Sequence, residues 1–81
     1  MISCATHDYV EIACMYRFEV RLVLDDGQVI KGKAFQTAYN ENKQECIVLD
    51  TPTGNERVVL EQVVSMEAVT QNPHFVKVDF K

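Results

Sequence analysis

The sequence has 81 residues, 47% of them apolar and 25% charged, with twelve acids against eight bases and a formal net charge of −4. That length holds one domain, which buries roughly 60% of the surface its unfolded chain exposes and so has a thin core. The apolar share excludes a disordered chain, and the acidic balance argues against the basic stripe of a nucleic-acid binder.

The first sixteen residues contain no Lys or Arg, and their acids are Asp8 and Glu11. Asp8-Tyr9-Val10-Glu11 has the D-x-x-E form of a capping box, with Asp8 at N-cap and Glu11 at N3. It predicts a short helix over 9–16. Val10, Ala13 and Cys14 then share one face, which can dock on the rest of the domain. Such a helix is too short to be stable alone.

From residue 17 the period changes to two. Phe18, Val20, Leu22 and Leu24 alternate with Arg17, Glu19 and Arg21, which predicts a half-buried strand over 17–24. Asp25-Asp26-Gly27 is a hairpin turn, because Gly supplies positive φ at little cost. The return strand over 28–37 puts Ile30, Gly32 and Ala34 inward and Lys31 and Lys33 outward. A Gly inside a strand implies a sharp bend or a close backbone approach. Residues 39–44 form a polar loop. The strand over 45–50 carries Cys46-Ile47-Val48-Leu49, a run buried on both faces. A turn over 51–55 follows, then strands over 56–60 and 63–70, a break over 71–74 and a last alternating strand over 75–80. One short helix and about six short strands make a mainly β single domain, a small, strongly bent sheet or barrel.

No stretch approaches the roughly 18 apolar residues of a membrane span, and the N-terminus lacks the basic and apolar regions of a signal peptide. The three cysteines, Cys4, Cys14 and Cys46, are odd in number and form no disulfide framework. Free thiols in a reducing cytoplasm are the expectation.

Cys4-x-x-His7, with Cys14 and His74, is half of a zinc motif, and no second pair closes it. The alternative is that Cys14 and Cys46 pack as small apolar groups and the histidines sit on the surface. Cys4 and His7 as nucleophile and base lack an orienting third group and an oxyanion donor. There is no P-loop, G-x-G-x-x-G or H-E-x-x-H. Neither an enzyme nor a cofactor is expected. Asp8 and Glu11 keep two compatible readings: a helix cap, and carboxylates presented with the Tyr9 ring to a basic groove.

Asp8-Tyr9-Val10-Glu11-Ile12-Ala13-Cys14, the hairpin from Val20 to Gly27, Gly32-Lys33-Ala34, Glu45 and Arg57-Val58-Val59-Leu60 resemble the Rho-binding antiterminator family, Rof (also called YaeO). That pattern has one Cys before and one after an acidic helix segment, here Cys4 and Cys14. The resemblance implies a short N-terminal helix packed on a small Sm-like barrel. It also implies binding to the N-terminal region of the transcription terminator Rho, over its primary RNA-binding site, so that RNA does not load. Cys4, Asp8, Glu11 and Cys14 match the family's contact segment. Position 7 is His where the family often has Tyr. The candidate partner-binding residues are Cys4, His7, Asp8, Tyr9 and Glu11 on the helix and Asn42 and Lys43 in the loop. The partner expected is Rho, with no direct contact to nucleic acid or membrane and a free monomer. The competing reading is an Sm-like RNA-binding chaperone, which the hairpin permits and the net charge opposes.

Overall fold

The computed structural model describes residues 2–81. Its one α-helix, α1, spans Cys4–Met15. Ser3 is the N-cap: its Oγ accepts from the Thr6 backbone N–H at 3.1 Å and donates to Thr6 Oγ1 at 2.9 Å. The helix therefore starts before the capping box read from the sequence. Asp8 is not the cap and Glu11 is not at N3; both lie beyond the first turn. The reason is packing. Thr6, Val10 and Ala13 form one buried stripe, and including Thr6 in the helix extends that stripe by a turn.

The helix ends without a glycine. Arg17 takes a left-handed φ of 57°, its N–H donates to Cys14 O, and the Phe18 N–H donates to Ala13 O. This is the Schellman pattern with Arg at the position usually filled by Gly. The conformation is disfavoured for a side chain with a Cβ by about 1–2 kcal/mol. Two contacts offset it: Arg17 Nη1 donates to Phe35 O at 2.7 Å, and the guanidinium lies 4.2 Å from the Phe35 ring centroid.

The strands are β1 (Glu19–Leu24), β2 (Val29–Tyr39), β3 (Glu45–Thr51), β4 (Gly54–Val59), β5 (Val63–Ala68) and β6 (Lys77–Asp79), with a 3₁₀ turn at Leu60–Gln62 between β4 and β5. β1 starts later than expected because Arg17 and Phe18 form the helix exit. Its inward residues are those of the alternation: Phe18, Val20, Leu22 and Leu24 are all buried. Gly32 is a close approach, since a Cβ there would meet Asp50 O and Thr51 Cγ2 at 3.0 Å. The β2–β3 register shifts between Ala34 and Gln36, at Phe35, whose carbonyl is the one that Arg17 uses. β3 buries Cys46 through Leu49 as expected. β5 and β6 are shorter than the alternation implied. Phe75 and Val78 are still buried, but the β5–β6 ladder covers only Lys77 to Asp79 on the β6 side.

All six strands join one antiparallel sheet in the order β4-β3-β2-β1-β5-β6. The mainly β fold with an N-terminal helix is what the sequence led us to expect. The end strands β4 and β6 do not pair with each other, so the sheet is not closed into a barrel. The helix face of Val10 and Ala13 meets Val20, Leu22, Ile47, Leu49, Val63 and Met66 in one core. Among the described residues, no helix is long and apolar enough to cross a membrane.

Candidate functional site

Because α1 buries Thr6, Val10 and Ala13, its opposite face presents Cys4, Asp8, Glu11 and Met15, all exposed. The spacing is i, i+4, i+7 and i+11, a continuous outward stripe. Two carboxylates lie on it, and the helix contributes no Lys or Arg.

His7 stands at the border of this stripe and ties it to the sheet. Its Nε2 lies 3.0 Å from both carboxylate oxygens of Glu45. Its Nδ1 lies 3.8 Å from Glu11 Oε1, one turn along the helix. The side chains of His7 and Glu45 are 30% and 27% exposed, so water screens the contact only in part. The hydrogen bond to Glu45 holds the His7 pKa above its ordinary value. Burial opposes that shift, and the charges of Glu45, Glu11 and Asp8 add to it.

Glu45 opens β3 directly after the 39–44 loop, and that loop is tightly built. Asn40 N–H donates to Gln44 O and Lys43 N–H to Asn40 O, each at 3.0 Å. Asn40 Oδ1 accepts from the Asn42 and Gln44 amides, each at 2.9 Å. Lys43 takes a left-handed φ of 61°. Between loop and helix start runs a groove of about 640 Å³, lined among others by Ser3, Cys4, His7, Lys43, Gln44 and Glu45.

The residues singled out from sequence thus divide. Cys4, His7 and Lys43 line one groove. Asp8 and Glu11 are exposed on the same helix, and Asn42 is exposed in the loop. Tyr9 turns instead toward the core, its ring edge-on to Phe75 at 5.5 Å. Cys14 is half-buried, and burial pushes its thiol up to about 11; it is a packing group held as the neutral thiol. His74 stacks on Tyr16 at 5.2 Å. The four residues of the half zinc motif therefore do not converge: His7 faces Glu45 and His74 faces Tyr16. Among the described residues, no three His, Cys, Asp or Glu side chains are grouped to hold a metal.

Glu45 was not among the site residues inferred from sequence. It is separated from His7 by 38 positions, and no local pattern links the two.

The family described as modulator of Rho-dependent transcription termination (ROF) matches residues 1–80. This chain belongs to that family. A solved structure, YaeO bound to magnesium from Vibrio cholerae O395, is 39% identical, with a TM-score of 0.88 over 91% of this chain and 96% of that one. No curated protein matches the chain. The ROF family is regulatory: its description names an effect on termination, not a reaction.

Proposed function

We propose that this protein inhibits Rho by binding its N-terminal primary RNA-binding region, so that the transcript cannot load and termination is suppressed. The observation that carries this reading is the joining of the acidic helix stripe to the 39–44 loop through His7 and Glu45. A surface that binds RNA phosphates is basic. A protein that presents carboxylates in a fixed arrangement competes there by the same electrostatics. Asp8 and Glu11 supply the charge, Cys4 and His7 the groove wall, and Asn42 and Lys43 the loop tip. Tyr9 supports the helix from behind through Phe75. Such work on Rho belongs to the cytoplasm, by a chain that is a monomer when free.

Direct RNA binding fits this surface less well. Arg21 pairs with Glu67 at 3.6 Å, Lys31 with Glu19 at 3.9 Å, Lys77 with Asp79 at 3.8 Å and Lys81 with Asp25 at 3.4 Å. Arg17 is engaged by Phe35. With five of the eight Lys and Arg side chains engaged in this way, the surface is poor in unopposed cations along which a phosphate chain could release counterions.

The test is size-exclusion chromatography of the protein with Rho, together with Rho's binding of pyrimidine-rich RNA and its RNA-stimulated ATPase activity. Co-elution with loss of both activities is expected. Unchanged RNA binding by Rho in large molar excess of the protein would refute the reading.

A further inference from the structure

We propose that the His7 imidazolium is a built-in counter-ion to the carboxylates of the Rho-binding face, and that docking of a cationic partner surface expels its proton. The inference rests on the Rho-binding reading and deepens it, because it specifies a regulation of the same site.

The geometry carries the argument. The two ring nitrogens of His7 face carboxylates on two different elements, Nε2 toward Glu45 of β3 at 3.0 Å and Nδ1 toward Glu11 of α1 at 3.8 Å. A neutral imidazole has one N–H and can donate to only one of them; the imidazolium can address both. The other ionisable groups at this place are Cys4 and Asp8 on α1, Tyr39 at the end of β2, Lys43 in the loop and Glu61 in the 3₁₀ turn. Acids outnumber bases around the ring, so the free protein holds the imidazolium readily.

A partner rich in Lys or Arg changes that balance. Its cations seek Glu11 and Glu45, the groups that His7 already faces. A protonated ring among them is a like charge at close range. Histidine gives up its proton near neutrality at little free-energy cost. The proton passes to the buffer, neutral His7 keeps one hydrogen bond, and the carboxylates turn to the partner. Proton release on binding requires that affinity rise with pH, by at most tenfold per pH unit for one proton.

The experiment is calorimetric titration of the full chain into Rho near pH 7, in two buffers of different ionisation enthalpy, with affinities also measured at about pH 6 and pH 8. Wild type should release protons and bind at least about threefold tighter at the higher pH. His7→Gln keeps an N–H donor for Glu45 but cannot titrate. It should release fewer protons and show a flatter pH profile. Rho's own titrations are common to both proteins, so the difference belongs to position 7. Glu45→Gln is the second variant; it lowers the His7 pKa, measured from the ring resonances of the free protein, and should also reduce the proton count. Equal proton counts and equal pH profiles in wild type and both folded variants would overturn the proposal with the Rho reading intact. No binding by any of the three at any pH would overturn the Rho reading and this proposal with it.

Discussion

His7 lies where two elements meet, and its protonation decides what the meeting contributes to stability. Its folded pKa is raised above the unfolded value, first by the hydrogen bond to Glu45. The contribution is therefore complete below about pH 6.5 and is lost as pH rises through the folded pKa. His7→Gln should lower the melting temperature more at about pH 5.5 than at about pH 8.5. Equal losses at the two pH values would show that the ion pair adds nothing to the fold. Asp8 and Glu11 illustrate what one residue's pattern can and cannot reveal. Their D-x-x-E spacing is a sound capping signature, yet Ser3 and Thr6 offer a competing pair, and the burial of Thr6 settles the competition. Local chemistry permits both starts; only the packed sheet chooses. With no cap to break, Asp8→Asn with Glu11→Gln should change stability by no more than about 0.5 kcal/mol per site, as for other surface positions. Binding to Rho should weaken at least about tenfold, which is roughly 1.4 kcal/mol. A folded double variant that inhibits Rho like wild type would move the contact surface off the helix. Urea midpoints and an affinity titration read the two effects separately.

At the scale of elements, α1 and the 39–44 loop are separate in sequence and joined in space. The helix start forms one wall of the groove and its N-cap is Ser3. Ser3→Ala should cost about 1 kcal/mol, and fraying of the first turn should carry Cys4 and His7 away from Glu45. Rho affinity should then fall although no charge has changed. Unaltered affinity in a destabilised Ser3→Ala protein would show that the first turn is not part of the contact. The strands that carry the core were legible because period-two alternation reports burial directly, as at Phe18, Val20, Leu22 and Leu24. Their ends were less so. Nothing in the sequence marks Arg17 as left-handed, since its support is the Phe35 carbonyl and ring supplied by a register shift in β2. The alternation over 75–80 reports burial of Phe75 and Val78, not the length of the ladder, which the partner strand decides. Glu45 was visible as a residue of the family pattern but not as His7's partner, because that relation exists only after β3 has been placed beside the helix.

Over the whole molecule, the distribution of charge matters more than its sum. Several cations of the sheet are matched by neighbouring acids, as Arg21 is by Glu67 and Lys31 by Glu19, each exposed pair worth only about 0–1 kcal/mol, while the carboxylates of α1 face outward without Lys or Arg on the same helix. The free protein should not bind single-stranded RNA at about 0.15 M salt, and its association with Rho should weaken as salt is added. Filter binding with labelled RNA and a salt series on the Rho complex measure these. Sub-micromolar affinity for RNA alone would favour the chaperone reading.

The position of β1 in the sheet also governs how the chain reaches its fold. Strands β1 to β4 pair in succession, each with the next, so three hairpins can zip from local contacts. β5 instead returns to the far side of β1, with Val20 opposite Ala68 and Leu22 opposite Met66. That pairing closes most of the chain into one loop, and its entropy must be met before any of the contacts it creates. Folding speed should thus be governed by this single long closure, as in other folds dominated by non-local pairing. Until it is complete, β1 has a bare edge and half a core, and that is the form in which this small regulator is most exposed to aggregation and proteolysis.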